Sequence, residues 1–243
     1  MYHEGEIAVQ RAAGVEAEAA RVGRIIGSAI PPAAMMFLEA RTFIVVATVS
    51  ADQVTASFIG GDFDCIDEQT LRIEPARGHL DRVRNDLAHD PRIGILAIDF
   101  PTRRRMRLNG DAHLDGDAIV VTSKEVYSNC PQYIHQQPRP ETTFFIASMN
   151  PNGNADASHR GGEPGFVTES ATQISFPDYR GNNMFNTLGN LTLNPNCGLL
   201  FIDFATMRAR QINGRATIEW SGTERRVDRR VDVAITALRE ETL

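Results

Sequence analysis

Two stretches of this chain, Arg92–Ala112 (RIGILAIDFPTRRRMRLNGDA) and Asn196–Ala216 (NCGLLFIDFATMRARQINGRA), align without a gap at an offset of 104 residues. Ten of the 21 aligned positions are identical, and the longest shared pattern is Gly-x-Leu-x-Ile-Asp-Phe-x-Thr-x-Arg. Agreement at this level is far beyond chance. The chain therefore carries an internal repeat, and each copy opens with an apolar run typical of a buried strand.

The repeat extends upstream of these stretches. Thr42-Phe43 and Ala56-Ser57-x-x-Gly60-Gly61 recur as Thr143-Phe144 and Ala157-Ser158-x-x-Gly161-Gly162, at an offset of 101 residues. A unit of roughly 80–100 residues is far too long for a solenoid. We therefore expect a mainly β fold with peripheral helices (α+β), in which tandem barrels pack as a pseudo-dimer within one chain.

Three parts are predicted: an N-terminal helical segment over residues 1–41, a first repeat over 42–137 and a second repeat over 138–243. Apolar periodicity predicts one long surface helix from Glu4 to about Ile26, and a second from Ala33 to Ala40 after a proline pair. Asn109-Gly110 and Asn213-Gly214 are typical of hairpin turns. The other predicted elements are a helix at His79–Ala88 and strands at Phe43–Val49, Thr70–Ile73, Gly94–Phe100, Met106–Asn109, Ile119–Thr122 and Val227–Ile235. The last of these strands is expected to close the second barrel.

Composition excludes several classes of function. The net charge of −6 and the pI near 5.5 argue against a surface for nucleic acid or anionic membrane. Lys124 is the only lysine, which excludes a P-loop. The three cysteines form no CxxC, and no apolar run reaches the ~18 residues of a membrane span. The first ten residues lack the apolar core of a secretory signal, so we expect a cytoplasmic protein.

The two copies differ most at the paired glycines. The first copy reads SFIGGDFD over residues 57–64, whereas the second reads SHRGGEPGFV over 158–167. The second has gained an imidazole, an arginine, a third glycine and a proline. Such a segment lets the backbone approach a flat ligand closely.

The next segment also differs between the copies. The first has EPARGHL at 74–80, and the second has FPDYRGNNMFNTLGN at 176–190, before a short apolar helix ending near Leu193. Amides, a hydroxyl and an arginine at a helix N-terminus suit a phosphate. The alternative is that the Asn- and Gly-rich segment is a plain surface loop and that His159-Arg160 is a solvated pair.

These second-copy segments resemble the pyridoxamine 5'-phosphate oxidase-like, FMN-binding split-barrel proteins, and look closest to a two-copy flavin-nucleotide-binding branch. The segments SNCPQYI at 128–134 and YHEGE at 2–6 look like that branch as well. The resemblance implies a split barrel in each half, with FMN between the two barrels. It also suggests that each Asn-Gly pair marks a bulge in a long bent strand and not a hairpin turn. It departs from the oxidase in two ways. Asn186-Thr187 stands near the place of an arginine-lysine pair, and the vitamin-binding residues have no counterpart, so pyridoxine chemistry is not implied.

The resemblance also implies a set of cofactor-binding residues. Ser158, His159, Arg160 and Gly161 would lie along the isoalloxazine ring or the ribityl chain. Around the ribityl and phosphate groups would lie Asp178, Tyr179, Arg180, Asn182, Asn183, Asn186 and Thr187. The first barrel would contribute Asn129, Cys130 and Tyr133.

The function predicted from the sequence is that of an FMN-binding flavoprotein, an FMN-dependent oxidoreductase acting on a small molecule. Reduction by NAD(P)H and association into a homodimer are left open. No catalytic residue is assigned, although His159 could titrate near neutrality and handle a proton. The alternatives are a deazaflavin-dependent reductase and a non-catalytic flavin or haem binder. Candidate axial ligands for haem are His79, His89, His113, His135 and Cys130.

Overall fold

The computed structural model describes residues 2–51, 53–128, 131–223 and 226–243, and most of them lie in β-strands. The first half contains strands β1 (Phe43–Ser50), β2 (Gln53–Cys65), β3 (Thr70–Gly78), β4 (Arg92–Asp99), β5 (Arg104–Asp115) and β6 (Ala118–Ser128). The second half contains β7 (Thr143–Met149), β8 (Ala155–Gly161), β9 (Thr168–Glu169), β10 (Gln173–Pro177), β11 (Asn196–Asp203), β12 (Arg208–Thr223) and β13 (Arg226–Thr242). The helices are α1 (Glu4–Ala12), α2 (Glu16–Val22), α3 (Pro32–Glu39), α4 (Leu80–Leu87) and α5 (Asn186–Leu193), with a 3-10 turn at Gly23–Ile25.

The first half is a closed antiparallel barrel with strand order β1-β2-β3-β6-β5-β4. Its interior is filled by alternating apolar side chains such as Ile44, Val46, Ile59, Ile93 and Ile95, each with at most 1% of its surface exposed. The β2–β3 pairing, from Ile59 to Cys65, closes this barrel. The expected mainly β fold is confirmed.

The second half repeats this strand order with one difference. Its sheet runs β8-β7-β11-β12-β13-β10-β9, which is the order of the first barrel with β8 in place of β2 and β10 in place of β3. Among the described residues β8 and β10 do not pair, because β8 ends at Gly161 whereas β2 continues to Cys65. The predicted C-terminal strand is present as β13 and pairs with β12 and β10. It completes the strand order but leaves the β8–β10 seam open.

The two halves pack through a shared apolar layer. Val45, Phe58 and Leu96 from the first half meet Phe145 and Leu200 from the second, all of them fully buried. Gly94 and Gly198 hold repeat-related positions in this layer. A Cβ at Gly94 would lie 2.6 Å from the Ala155 carbonyl, and one at Gly198 would lie 2.6 Å from the Ala56 nitrogen. The repeated glycine therefore allows the backbones of the two halves to cross.

Two local predictions from the sequence were wrong. The long helix from Glu4 to about Ile26 is broken between α1 and α2, where Gly14 adopts φ +68°. The buried residues of α1 are Gly5, Glu6, Val9 and Gln10, whereas Ala8 and Ala12, which belong to the predicted apolar periodicity, are exposed. The Asn-Gly pairs are not hairpin turns. Each marks a bulge inside a long strand, β5 or β12, as the family resemblance suggested.

The N-terminal segment is divided between the two halves. Helix α1 packs on α5 in the second half, and α3 packs on β2 in the first. Gly5 and Gly189 make the α1–α5 contact, since a Cβ at Gly5 would lie 2.2 Å from the Gly189 carbonyl oxygen. Within the described ranges, no helix has the length and apolar character needed to cross a bilayer. The boundaries at residues 41 and 137 stay predictions.

Candidate functional site

The open seam of the second half leads into a cavity between the two halves. Its walls are the end of β8, the segment from Pro177 to Phe185 and the first turn of α5. The first half closes it with Arg105 and Arg107 from β5 and Tyr127 from β6. These three residues were not among those predicted from the sequence. A signal existed for two of them, since Arg105 and Arg107 stand at the offset of 104 where the second copy has Ala209 and Gln211.

Arg107 is the centre of a buried network that joins the halves. Its Nη1 lies 3.0 Å from both carboxylate oxygens of Asp156, and its Nη2 donates to Ser158 Oγ at 2.5 Å. The same Nη1 reaches Asn186 Oδ1 at 3.4 Å. Although burial disfavours its charge, the adjacent Asp156 carboxylate raises the pKa of Arg107 above its ordinary value. The guanidinium is thus a fixed positive charge in the floor of the cavity.

A second buried cluster lies beside β8. The Asp178 carboxylate accepts from Arg160 Nη1 and from Arg229 Nε, both at 2.9 Å. Arg160 stands where the first copy has Ile59, a residue of the barrel core. Burial, opposed by Asp178, lowers the pKa of Arg160. The second half has therefore replaced apolar barrel filling by charge at its open seam.

The N-terminus of α5 presents an uncapped first turn to the cavity. Its N-cap residue, Phe185, has φ +57°, and no side chain caps the first turn. The first hydrogen-bonded amide after it is that of Gly189, which donates to the Phe185 carbonyl. The N–H groups of the first turn, with the Asn186 and Thr187 side chains, therefore border the cavity.

Helix α1 supports this turn from behind, which the sequence did not indicate. Glu6 is 4% exposed and accepts from Asn186 Nδ2 at 3.3 Å, while His3 Nε2 lies 2.9 Å from Asn190 Oδ1. Gln10 Nε2 donates to the Met184 carbonyl at 3.1 Å. Burial, reinforced by Glu125 and Asp156 and opposed by the hydrogen bonds to Glu6, raises the pKa of Glu6 to about 7.

His159 is buried in the layer between the halves. Its ring lies edge-on to Phe100 and Phe145, and its Nδ1 is 2.9 Å from Arg105 Nη1. Burial, followed by the charges of Arg105 and Arg160, lowers the pKa of His159 well below its ordinary value. The lowered pKa favours the neutral imidazole, and a proton-handling role for His159 stays a prediction.

The structure brings most of the predicted cofactor residues together around one cavity. Those that line it are Ser158, His159, Arg160, Gly161, Asp178, Tyr179, Asn182, Asn183, Asn186, Thr187 and Tyr133. Arg180 is exposed and its side chain does not line the cavity, although its carbonyl accepts from Tyr133 Oη at 3.0 Å. Asn129 and Cys130 lie outside the described residues.

The haem-ligand candidates are not brought to this cavity. His79, His89, His113 and His135 do not line it, and Cys130 lies outside the described residues. His79 belongs to the first half, where its Nδ1 accepts from the Phe58 N–H at 3.0 Å.

The donor set of the cavity suits an anionic, polar group. Arg107 Nε, Arg160 Nε and His159 Nε2 are buried and have no hydrogen-bond partner within the part of the chain that the structure describes, and the uncapped α5 turn adds backbone donors. The enclosed space is about 100 Å³. A ligand as large as FMN must therefore lie partly in the open mouth, where Tyr133 and Tyr179 stack with ring centres 5.1 Å apart.

Comparison with known proteins gives a family match in the half that contains this cavity. Residues 131–232 match the sequence profile of the pyridoxamine 5'-phosphate oxidase family. A search of curated proteins found no match to the chain.

Solved structures resemble the chain only weakly. HupZ of Group A Streptococcus is 11% identical with a TM-score of 0.35, covering 42% of this chain and 92% of its own. A candidate pyridoxamine 5'-phosphate oxidase from Listeria innocua is 12% identical with a TM-score of 0.32, covering 41% and 87%. MrkH of K. pneumonia is 11% identical with a TM-score of 0.23, covering 87% and 86%.

The profile match covers the open seam, the polar segment after β10 and α5, which are the parts that distinguish the second half from the first. The strand order agrees with a split barrel in that half. The second half of the chain, residues 131–232, is similar to the pyridoxamine 5'-phosphate oxidase-like split-barrel family, whose members commonly bind flavin or haem.

Proposed function

We propose that this protein binds FMN at the open seam of its second half and acts as an FMN-dependent oxidoreductase on a small molecule. One observation carries the proposal. At the place where the first barrel is closed by β2–β3 pairing, the second half has an opening bordered by an uncapped helix turn and by Arg107, Arg160 and His159, each of which has a buried nitrogen without a hydrogen-bond partner among the described residues. A protein pays for such donors in stability unless a ligand satisfies them.

The phosphate of FMN would be held at the first turn of α5. The backbone N–H groups there, the Thr187 hydroxyl and the Asn186 amide are the available donors, and the helix dipole favours an anion at this end. Arg107 adds a fixed positive charge nearby, through its contact with Asn186. This set replaces the arginine-lysine pair of the oxidase.

The ring system would lie toward β8 and the stacked tyrosines. Ser158 and Gly161 offer a small surface there, and Tyr133 and Tyr179 offer aromatic faces. When bound, FMN supplies the hydride and electron transfer, and the protein supplies orientation and electrostatics. Because His159 is neutral and buried, its unpaired Nε2 can serve as a hydrogen-bonding group.

The test is a titration of the purified protein with FMN, followed by flavin fluorescence and absorbance. We expect saturable binding near one FMN per chain, and weaker binding of riboflavin, which lacks the phosphate. Replacing Asn186 and Thr187 (N186A/T187V) should weaken FMN binding about tenfold and should leave riboflavin binding nearly unchanged. Asn85→Ala on α4, the related helix of the first half, is the matched control and should change neither.

The oxidoreductase part has its own test. Protein loaded with FMN is mixed with NADH or NADPH in the absence of oxygen, and bleaching of the flavin spectrum reports reduction. Protein that takes up no FMN contradicts the proposal. A Soret band on haem addition without flavin uptake would favour the haem-binding alternative. Binding of a deazaflavin in preference to FMN would favour a deazaflavin-dependent reductase.

A further inference from the structure

A second cavity lies next to the candidate FMN site, on the first half. It has a volume of about 450 Å³ and lies between α3 and the turn that leads into β5. Pro31, Ala34, Phe37 and Met106 give it an apolar wall. Arg105 lines both cavities, so the two spaces border the same side chain.

The charge of this cavity is one-sided. Three consecutive arginines, Arg103, Arg104 and Arg105, border it, and none of its described lining residues is acidic. Over the described ranges, Arg103 and Arg104 form no ion pair, and the Arg104 guanidinium instead lies 5.0 Å from the centre of the Phe37 ring. Cations that border an apolar surface without a carboxylate partner are a recognition site for an anion with an apolar body.

The internal repeat shows that this charge is specific to the first half. At the offset of 104, Arg103 and Arg105 correspond to Met207 and Ala209, whereas Arg104 corresponds to Arg208. The related cavity of the second half has about 210 Å³ and is lined by two arginines and two acids, Asp203 and Glu240. The first copy therefore has arginines where the second has Met207 and Ala209. Its Asp99, which corresponds to Asp203, pairs with Arg41 and does not line the cavity.

We propose that this arginine-lined cavity binds the substrate of the adjacent site, and that this substrate is an anion with an apolar or aromatic body, carrying a carboxylate, sulfonate or phosphate group. The anionic group is held by Arg103 and Arg104, and the body lies on the wall made by α3 toward Arg105. The substrate part of this inference rests on the proposed FMN site. The existence of the anion site does not.

The binding test uses two fluorescent probes of similar shape, the anion 8-anilinonaphthalene-1-sulfonate and the neutral N-phenyl-1-naphthylamine. Wild-type protein should bind the anion saturably. Arg103→Gln with Arg104→Gln should weaken anion binding about tenfold and leave the neutral probe within about twofold. Arg208→Gln, at the related position of the second half, should change neither. Equal anion affinity of the double variant and wild type, equal losses for both probes, or an equal loss in Arg208→Gln would each overturn the anion site.

Two further measurements separate this inference from the proposed function. Circular dichroism and thermal unfolding of Arg103→Gln alone, which keeps the Arg104–Phe37 contact, show whether any loss comes from misfolding. In protein loaded with FMN, the anionic probe should shift the flavin spectrum, because Arg105 borders both cavities. A bound probe without any shift overturns the substrate assignment. Arginine-dependent binding to a protein that takes up no FMN refutes the proposed function and leaves the anion site standing.

Discussion

The two halves of this molecule descend from one unit, and they differ in how each barrel is completed. In the first half β2 and β3 pair and Ile59 fills the interior, whereas in the second β8 stops at Gly161 and Arg160 takes the place of Ile59. The charges of the second half are then balanced by Asp178 and by Arg107 of the other half. One copy thus forms a closed barrel with an apolar interior. The other lacks the β8–β10 pairing among the described residues and has a polar opening in its place.

The largest effect on stability is expected when the charge that joins the two halves is removed. Arg107→Ala leaves the buried Asp156 carboxylate without its partner, so we expect a loss of about 3–5 kcal/mol in the free energy of unfolding, measured with urea. Gln211→Ala is the control at the related position. It removes only neutral hydrogen bonds to Ala56 and Ser57 and should cost about 1–2 kcal/mol. Equal losses would show that the two contacts are equivalent.

The next test uses pH and the helix behind the site. The pKa of Glu6 is about 7 in the folded protein and ordinarily near 4.5, so the folded state holds this proton more tightly than the unfolded chain. The contribution of this protonated side chain to the free energy of unfolding is up to about 3 kcal/mol. It is fully present below pH 4.5 and is lost as the pH rises through 7. Glu6→Gln should flatten the decline in stability between pH 5 and 7.5. A decline of the same size in the variant would assign it to other groups.

The third test concerns the charged barrel interior of the second half. Asp178→Asn leaves Arg160 and Arg229 without their shared carboxylate, and should lower the free energy of unfolding by about 2 kcal/mol. Thermal unfolding measures the change. Glu163→Gln on the exposed segment after β8 serves as a control and should leave the melting temperature unchanged. An unchanged melting temperature in Asp178→Asn would mean that the buried cluster adds nothing to stability.

The smallest effect is expected for a swap between related positions. His159→Phe gives the second half the residue that the first has at Phe58, and should change the free energy of unfolding by no more than about 1 kcal/mol, because the imidazole is neutral and lies among Phe100 and Phe145. The reverse swap, Phe58→His, buries an imidazole at the related position of the first half. There Ala209 stands in the place of Arg105 and offers the imidazole no side-chain hydrogen bond, so the loss in the free energy of unfolding should be larger. Equal costs would mean that Arg105 does not stabilise His159.

Much of the fold was predictable from the sequence. The repeat is visible in a direct alignment of the two copies, and the apolar pattern of each strand involves only neighbouring residues. The strands at Phe43–Val49 and Gly94–Phe100 and the helix at His79–Ala88 follow from apolar alternation and proline breaks. The helix break at Gly14 was missed, and the residues alone favoured hairpin turns at the Asn-Gly pairs, where only the family resemblance suggested bulges. One glycine or one Asn-Gly pair is compatible with several backbone conformations. The predicted polar residues after β10, apart from Arg180, do border one cavity, since they are neighbours in sequence.

The sequence alone determined that one unit is present twice, and that only the second copy carries a polar segment before a short helix. Tertiary structure decided the rest: that β8 and β10 do not pair among the described residues, that Arg105 and Arg107 reach across from the first half, and that Glu6 supports Asn186 from the N-terminal helix. The reason is physical. Periodicity records which face of an element is buried, whereas contacts between distant segments depend on how the two halves cross at Gly94 and Gly198, which no local pattern encodes.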